Sequence, residues 1–325
     1  MVYRRLTTAS SSCTRVPAAH HHRRNSSVSR QSGGSAPYGM TLNSRPLGVN
    51  MNNPIWNALS REAAISAEHL GNGATILGKA NYAHHAHYGQ AFFALSTGIE
   101  RGAKLALTVD HALNNGGNFP TPKALRKFGH NLQDLLIEVD RMAERRGLPA
   151  NERLPNSAIH KNIISVLTEF ASNITRYYNL DLVMGNVHQK AQGDPIGTWF
   201  QTVTSQIIKE HLTAQRRAKI ESNARIVSGI MQPVSHVSHT SESGAHLGTV
   251  YDASVQTGLV EFAGPYARMY VLQIARFFAH VMSCLTFAAY QAQMDCIPHL
   301  SEFFAIYNND NSYLKSRKTW SIYQP

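Results

Sequence analysis

The side chains with the most to offer chemically are His130 and two arginines, Arg126 just before it and Arg176 further on. A histidine titrates near neutral pH and can take or give a proton, while an arginine steadies a phosphate with its planar fork of donors. Upstream, Glu100 and Lys104 form an i,i+4 pair in the favourable order, worth a few tenths of a kcal/mol when exposed. Buried between helices, the same pair would cross-link to His130 and Asn131 as a polar network that holds the fold. Two roles for His130 stay open on these residues. It is either an acid/base group near Arg126 and Arg176, or one member of that network, holding a buried hydrogen bond. Near the C-terminus, Lys315, Arg317 and Lys318 stand beside Tyr313 and Trp320. Cations and aromatics so mixed can neutralise and stack on a nucleic-acid strand, or can simply pin a trailing helix by its aromatic.

Other chemistries find less support. His84-His85-x-His87 and His236-x-x-His239 with His246 are the dense histidine clusters. Zinc needs three or four ligands in a tetrahedral frame. On a helix only His84 and His87 of the first cluster share a face, and the second lies in a Ser-rich stretch with no frame, so no metal is expected. GxSxG, GxxxxGK[ST], HExxH and a helix-opening GxGxxG are all absent. Cys13, Cys284 and Cys296 form no CxxC pair, which excludes a disulfide scaffold and a cysteine zinc finger and suits a reducing, cytoplasmic setting. No cofactor is indicated.

The elements that must position these residues read as helix after helix, an all-α multi-helix bundle. Asn53-Pro54 opens a helix with Ile55, Leu59, Ala63 and Ala67 on one face, and Gly71, Gly73 and Gly78 predict a kink or break at its end. A second helix runs from Tyr88 to the stop at Gly116-Gly117. Thr121-Pro122 opens a third, carrying Leu125, Leu132, Leu136 and Val139 to Arg145-Arg146-Gly147. A Pro/Asn loop over 148–156 leads to a helix marked by Ile159, Ile163, Leu167, Phe170 and Ile174. Asp194-Pro195 caps the next, which continues past Leu212 into a charged second half at Arg216-Arg217. Residues 226–250 read as a long Ser/His/Gly-rich loop, followed by a helix over about 266–294 and a short one after Pro298. The apolar run from Tyr270 to Tyr290 is long enough to span a bilayer, but Gln273, Arg276 and His280 make it a buried helix of the bundle, and no membrane contact is expected.

Length and charge set the outer bounds. The chain has 325 residues and a formal charge of +11. Seven of its 31 Lys/Arg and none of its 20 Asp/Glu fall in residues 1–50, leaving 24 cations against 20 acids elsewhere. The body is thus close to neutral and residues 1–50 carry the excess. That stretch is Ser/Arg-rich without helical or strand period, too poor in apolar residues to order itself. It reads as a targeting presequence, as a solvated basic tail able to contact phosphates, or as text ahead of a later start at Met40 or Met51. The expected division is a tail over 1–50, a helical domain over 51–182, and a C-terminal helical region over 183–325 packing on it.

One resemblance joins these pieces. The segment from Ser96 to Leu107, with Glu100 and Lys104, followed after a turn by Gly129-His130-Asn131-Leu132-x-x-Leu135-Leu136, resembles the HEPN superfamily of prokaryotic helical domains. Thr175-Arg176-Tyr177-Tyr178-Asn179-Leu180-Asp181 is similar to a helix end found further along such domains. The likeness covers roughly residues 85–182 and implies antiparallel helices, a possible homodimer, and work on RNA in a bacterial defence or stress system, with any catalysis being metal-independent ribonuclease chemistry. Ribonucleases of that family carry Arg-x(4–6)-His, commonly with a polar residue after the arginine. Here Arg126-Lys127-Phe128-Gly129-His130 is one residue short, and no histidine follows Arg176 in range. Arg153 and His160 have the spacing but straddle a proline loop. Members without the motif bind RNA or partners, so RNA binding leads. A non-catalytic helical protein–protein interaction protein is the other function class.

Overall fold

The computed structural model describes residues 53–127, 129–172, 175–185 and 193–321. The readings made for residues 1–50, for Cys13 and for Ile174 lie outside them. The described chain is an all-α bundle with only two short strands.

Helix α1 (Pro54–Leu77) begins where Asn53 Oδ1 accepts from the N–H groups of Ile55 and Trp56, at 2.9 and 3.4 Å. Pro54 at its first position loses no bond, because that N–H has no partner in a helix anyway. Of the three glycines expected to kink or break α1, Gly78 is where the helix ends, as its C-cap, while at Gly71 and Gly73 it continues. Both glycines lie inside the helix, and they are there to let neighbours approach. A Cβ on Gly73 would stand 2.6 Å from Leu95 Cγ, and one on Gly98 of helix α2 (His85–Asn114) 2.9 Å from Leu70 Cγ. Ser66 Oγ donates to Gly98 O at 2.8 Å in the same seam. Small residues on both helices thus bring the two backbones close, a packing reason for glycine that sequence periodicity does not show. Helix α2 ends as expected, with Gly116 and Gly117 at φ +61° and +90° and the Gly117 N–H bonded to Ala112 O at 2.8 Å.

The helix expected from Thr121 to Arg146 is two. Helix α3 (Pro122–Arg126) stops, Gly129 turns the chain at φ +60°, and Asn131 restarts it by capping helix α4 (Leu132–Arg145), its Oδ1 accepting from Asp134 N at 3.2 Å. Asp140 on α4 then grips the following loop: Arg153 Nε and Nη2 each donate to it at 2.7 Å, and Leu154 N at 3.0 Å. Helix α5 (Ala158–Ala171) and helix α6 (Tyr178–Val183) follow. Asp194 caps helix α7 (Pro195–Trp199), which passes through a π-helical turn at Phe200–Thr204 into helix α8 (Ser205–His211). Asn162 Nδ2 on α5 donates to the Thr202 carbonyl in that turn at 2.9 Å. The sequence pattern runs straight past Leu212, but the chain breaks there. Leu212 turns extended, and the Thr213 hydroxyl accepts from Arg216 N at 3.2 Å to start helix α9 (Ala214–Met231) anew.

The loop expected over 226–250 is shorter than its composition suggests. Helix α9 occupies it to Met231, and a tiny antiparallel ladder, β1 (His239–Thr240) with β2 (His246–Leu247), occupies much of the rest. Helix α10 (Val250–Gln291) begins well before 266, capped by Thr249 and fixed by Gln232 Oε1 accepting from Val250 N at 2.8 Å; Pro265 lies within it. It is the central helix. Leu272, Ile274, Phe277, Phe278, Met282 and Leu285 are buried against the other elements. Among the described residues it alone is long and apolar enough to cross a membrane, and 56% of its most apolar stretch lies buried inside the protein. Helices α11 (Leu300–Phe304) and α12 (Asn311–Ser316) close the chain over it. A single apolar core takes residues from both the 51–182 and the 183–325 regions, including Phe92, Phe170, Trp199, Phe278 and Trp320.

Candidate functional site

Glu100 lies on α2 and gathers two partners. Its Oε1 accepts from Lys104 Nζ at 2.8 Å and stands 2.9 Å from His130 Nδ1. The spacing of Glu100 and Lys104 by one helical turn makes the first contact, and the Gly129 turn delivers the second. His130 is 72% exposed, so it holds a surface hydrogen bond and not the buried one expected of a structural histidine. Asn131 stays out of this group because its side chain is spent capping α4. Nδ1 stands against a carboxylate while the His130 side chain is largely exposed, an arrangement suited to proton transfer.

The phosphate-steadying arginines do not join it. Arg126 Nε donates to Pro122 O at 3.2 Å, folding back on its own helix. The Arg176 guanidinium sits between Phe93 and Phe170, 5.4 Å from each ring centroid, and its buried Nε has no hydrogen-bond partner among the described residues. Phe93 precedes Glu100 by two helical turns on the same side of α2, so the α2 residues that Arg176 and His130 touch stand about 10 Å apart along the axis. Arg153 is held by Asp140, and His160 is buried against α10, so that pair does not converge either. Among the described residues no contact joins Arg126, His130 and Arg176 into one centre.

The C-terminal group also departs from its nucleic-acid reading. Trp320 is fully buried: its ring stacks on Tyr307 with centroids 6.0 Å apart, its N–H donates to Thr75 Oγ1 at 2.9 Å, and Nε1 donates to Arg317 O at 3.0 Å. It cannot offer a face to a base. Arg317 is taken up by Thr319 O and the Tyr313 hydroxyl, both at 2.7 Å, and Lys315 Nζ lies 4.7 Å over the Tyr266 ring. Of that group Lys318 is exposed. The aromatic pins the chain end to α1.

Two features escape the sequence pattern. One is a polar seam along α10. His160 Nε2 meets Gln273 Oε1 at 2.8 Å and its Nδ1 meets Ser157 Oγ at 2.7 Å, while His211 Nε2 meets Tyr270 Oη at 2.9 Å. Burial pushes His160 down to about 4, so its ring is neutral at pH 7, and burial likewise lowers His211. The signal was Gln273 within an apolar run. The other is an open groove of about 600 Å³ between α9 and the first half of α10. Neither element boundary was legible, so nothing in the sequence pointed to it.

The histidine clusters form no metal site. His84 and His87 stack with centroids 5.2 Å apart, and their Nδ1 atoms face Asn81 Oδ1 and Lys79 O. Among the described residues no three His, Cys, Asp or Glu side chains group as ligands. No protein-family model, no curated protein and no solved structure matches the chain.

Proposed function

We propose that this is a HEPN-like helical protein that binds RNA without cutting it, in a bacterial defence or stress role. The observation that carries the reading is the surface of α3 and the turn into α4, which His130 joins to Glu100 on α2. Lys123, Arg126 and Lys127 are exposed there, with no carboxylate within 4 Å among the described residues, next to Glu100-bound Lys104 and exposed His130. Uncompensated cations on a nearly neutral body are the footprint of phosphate contacts. The acid-free arginine-rich residues 1–50 add to it in composition. Binding is favoured over cleavage because Arg176 is held over Phe93 and Phe170 and no contact among the described residues fixes the exposed Arg126 against His130, so no guanidinium is positioned there for a scissile phosphate.

A gel-shift titration of the full chain with tRNA at 50 to 200 mM salt tests this. Wild type is expected to bind with an affinity that falls steeply with salt, and Lys123→Glu/Arg126→Glu/Lys127→Glu to weaken it at least tenfold. Equal affinity of wild type and triple variant, or no shift at 50 mM, removes the reading. Incubation with labelled tRNA, with and without EDTA, is expected to leave the RNA intact; cleavage lost in His130→Ala would restore the nuclease branch.

A further inference from the structure

Helix α9 is 18 residues long, yet Ala224 is its one buried residue among those described. A helix of that length is not held by its own hydrogen bonds in water; it needs an apolar face that packs. Its packing partner is the first half of α10. Ile220 seats over Gly258, where an added Cβ would lie 2.6 Å from Ile220 Cγ2. Beside this seam the two helices leave the open groove. Its floor is the small-residue side of α10: Ala253, Ser254 and Thr257. Its α9 wall changes character along its length. Arg216 and Lys219 come first, exposed and without a carboxylate within 4 Å among the described residues. Val227 follows in the groove, and Ile226 and Ile230 extend the same wall outside it, at 61% and 67% exposure. Glu261 lines the cationic end too and is likewise unpaired, one acid against two cations.

We propose that this groove docks an amphipathic helix of a partner protein, apolar face on the α10 floor and acidic end at Arg216 and Lys219. Small floor residues let a third helix come close, and two adjacent helices offer it a ready-made trough of the helix-in-groove kind. Charge selects the occupant. Residues 1–50 of the chain itself carry seven arginines and no acid, the wrong sign for this wall. A second copy would bring its own α9, again basic, against Arg216 and Lys219. A lipid surface suits α9 poorly, since Arg217, Glu221 and Arg225 interrupt the apolar residues around the helix. The proposal concerns a different surface from that of the RNA reading and does not depend on it.

The test is fluorescence anisotropy of the full chain with three labelled 16-residue peptides. One has Leu at i, i+4, i+7 and i+11 with Glu elsewhere, one has Lys in place of Glu, and one is a scramble of the first at equal charge. The Glu peptide is expected to bind at least tenfold more tightly than the other two. Arg216→Glu/Lys219→Glu, an exposed pair whose fold circular dichroism checks, is expected to invert the preference toward the Lys peptide. Thr257→Trp, which fills the floor, is expected to abolish both. Binding of none of the three, equal binding of Glu peptide and scramble, or a preference that survives the charge swap overturns the proposal. So does a doubled mass in light scattering that reverts in Ile230→Glu, which would assign the groove to a second copy. Lys123→Glu/Arg126→Glu/Lys127→Glu is expected to leave peptide binding within twofold of wild type, keeping this result separate from the RNA reading.

Discussion

At the scale of single residues, His130 and His160 are both hydrogen-bonded histidines with opposite consequences. His130 shares Glu100 with Lys104 at the surface, so its bond competes with water and His130→Ala is expected to cost about 0.5 kcal/mol or less, read by urea denaturation. A loss of 2 kcal/mol would mean that the turn depends on it. His160 is 5% exposed and satisfied as the neutral ring, with Ser157 on one side and Gln273 on the other. Burial lowers its pKa from 6.5 to about 4. Between those values the unfolded chain binds a proton that the folded chain refuses, so this contribution is complete above pH 6.5 and is lost as pH falls toward 4. The loss is on the order of 3 kcal/mol over that window. Denaturation midpoints of wild type and His160→Gln, followed from pH 7 to 4, are expected to converge as wild type weakens. Parallel curves would show that other groups set the acid limb.

At the scale of elements, glycines within α1 and α2 show how one substitution can carry either sign. Gly71 lies where α1 meets the chain end: an added Cβ would stand 2.1 Å from the Trp320 carbonyl oxygen, a backbone atom held in place by the Trp320 N–H bond to Thr75. Gly71→Ala is expected to destabilise by roughly 1–3 kcal/mol, as overpacking does. Gly89, inside α2, has nothing within 4 Å of a built Cβ. There the same change is expected to stabilise by about 0.5–1 kcal/mol through helix propensity alone. Thermal melts of the two variants against wild type check the pair, and shifts of the same sign would contradict the packing described.

At the scale of the whole molecule, Trp320 ties the C-terminal turn to the first helix through Thr75, Tyr307 and the carbonyl over Gly71. Trp320→Ala removes a large buried ring and is expected to cost about 3–5 kcal/mol. Hydrogen exchange should then rise over α12 and the end of α1 together. Faster exchange in α12 alone would show that the staple holds only its own segment.

Much of this architecture follows from local chemistry. Caps at Asn53, Thr121 and Asp194, and the turn at Gly116-Gly117, stand where the sequence places them, because a cap needs only its own side chain and the three N–H groups beyond it. The four-residue spacing of Glu100 and Lys104 likewise needed nothing but the helix. The tertiary structure decided what depends on a distant partner. Gly71 and Gly73 read as breakers because the residues that require them small, Trp320 in the C-terminal segment and Leu95 on α2, come from elsewhere in the chain. Trp320 read either as a stacking face for a base or as the pin of a trailing helix, and it is the pin because its neighbours arrive from α1. The start of α10 was hidden because its first half is only half-covered and carries no clean apolar period. The resemblance sets Arg126 and Arg176 beside His130 although neither has the Arg-x(4–6)-His spacing, and their separation rests on Phe93, Phe170 and Pro122 claiming them first. Local hydrogen bonds are written in adjacent residues; steric room and competition for a charged side chain are settled only when the helices meet.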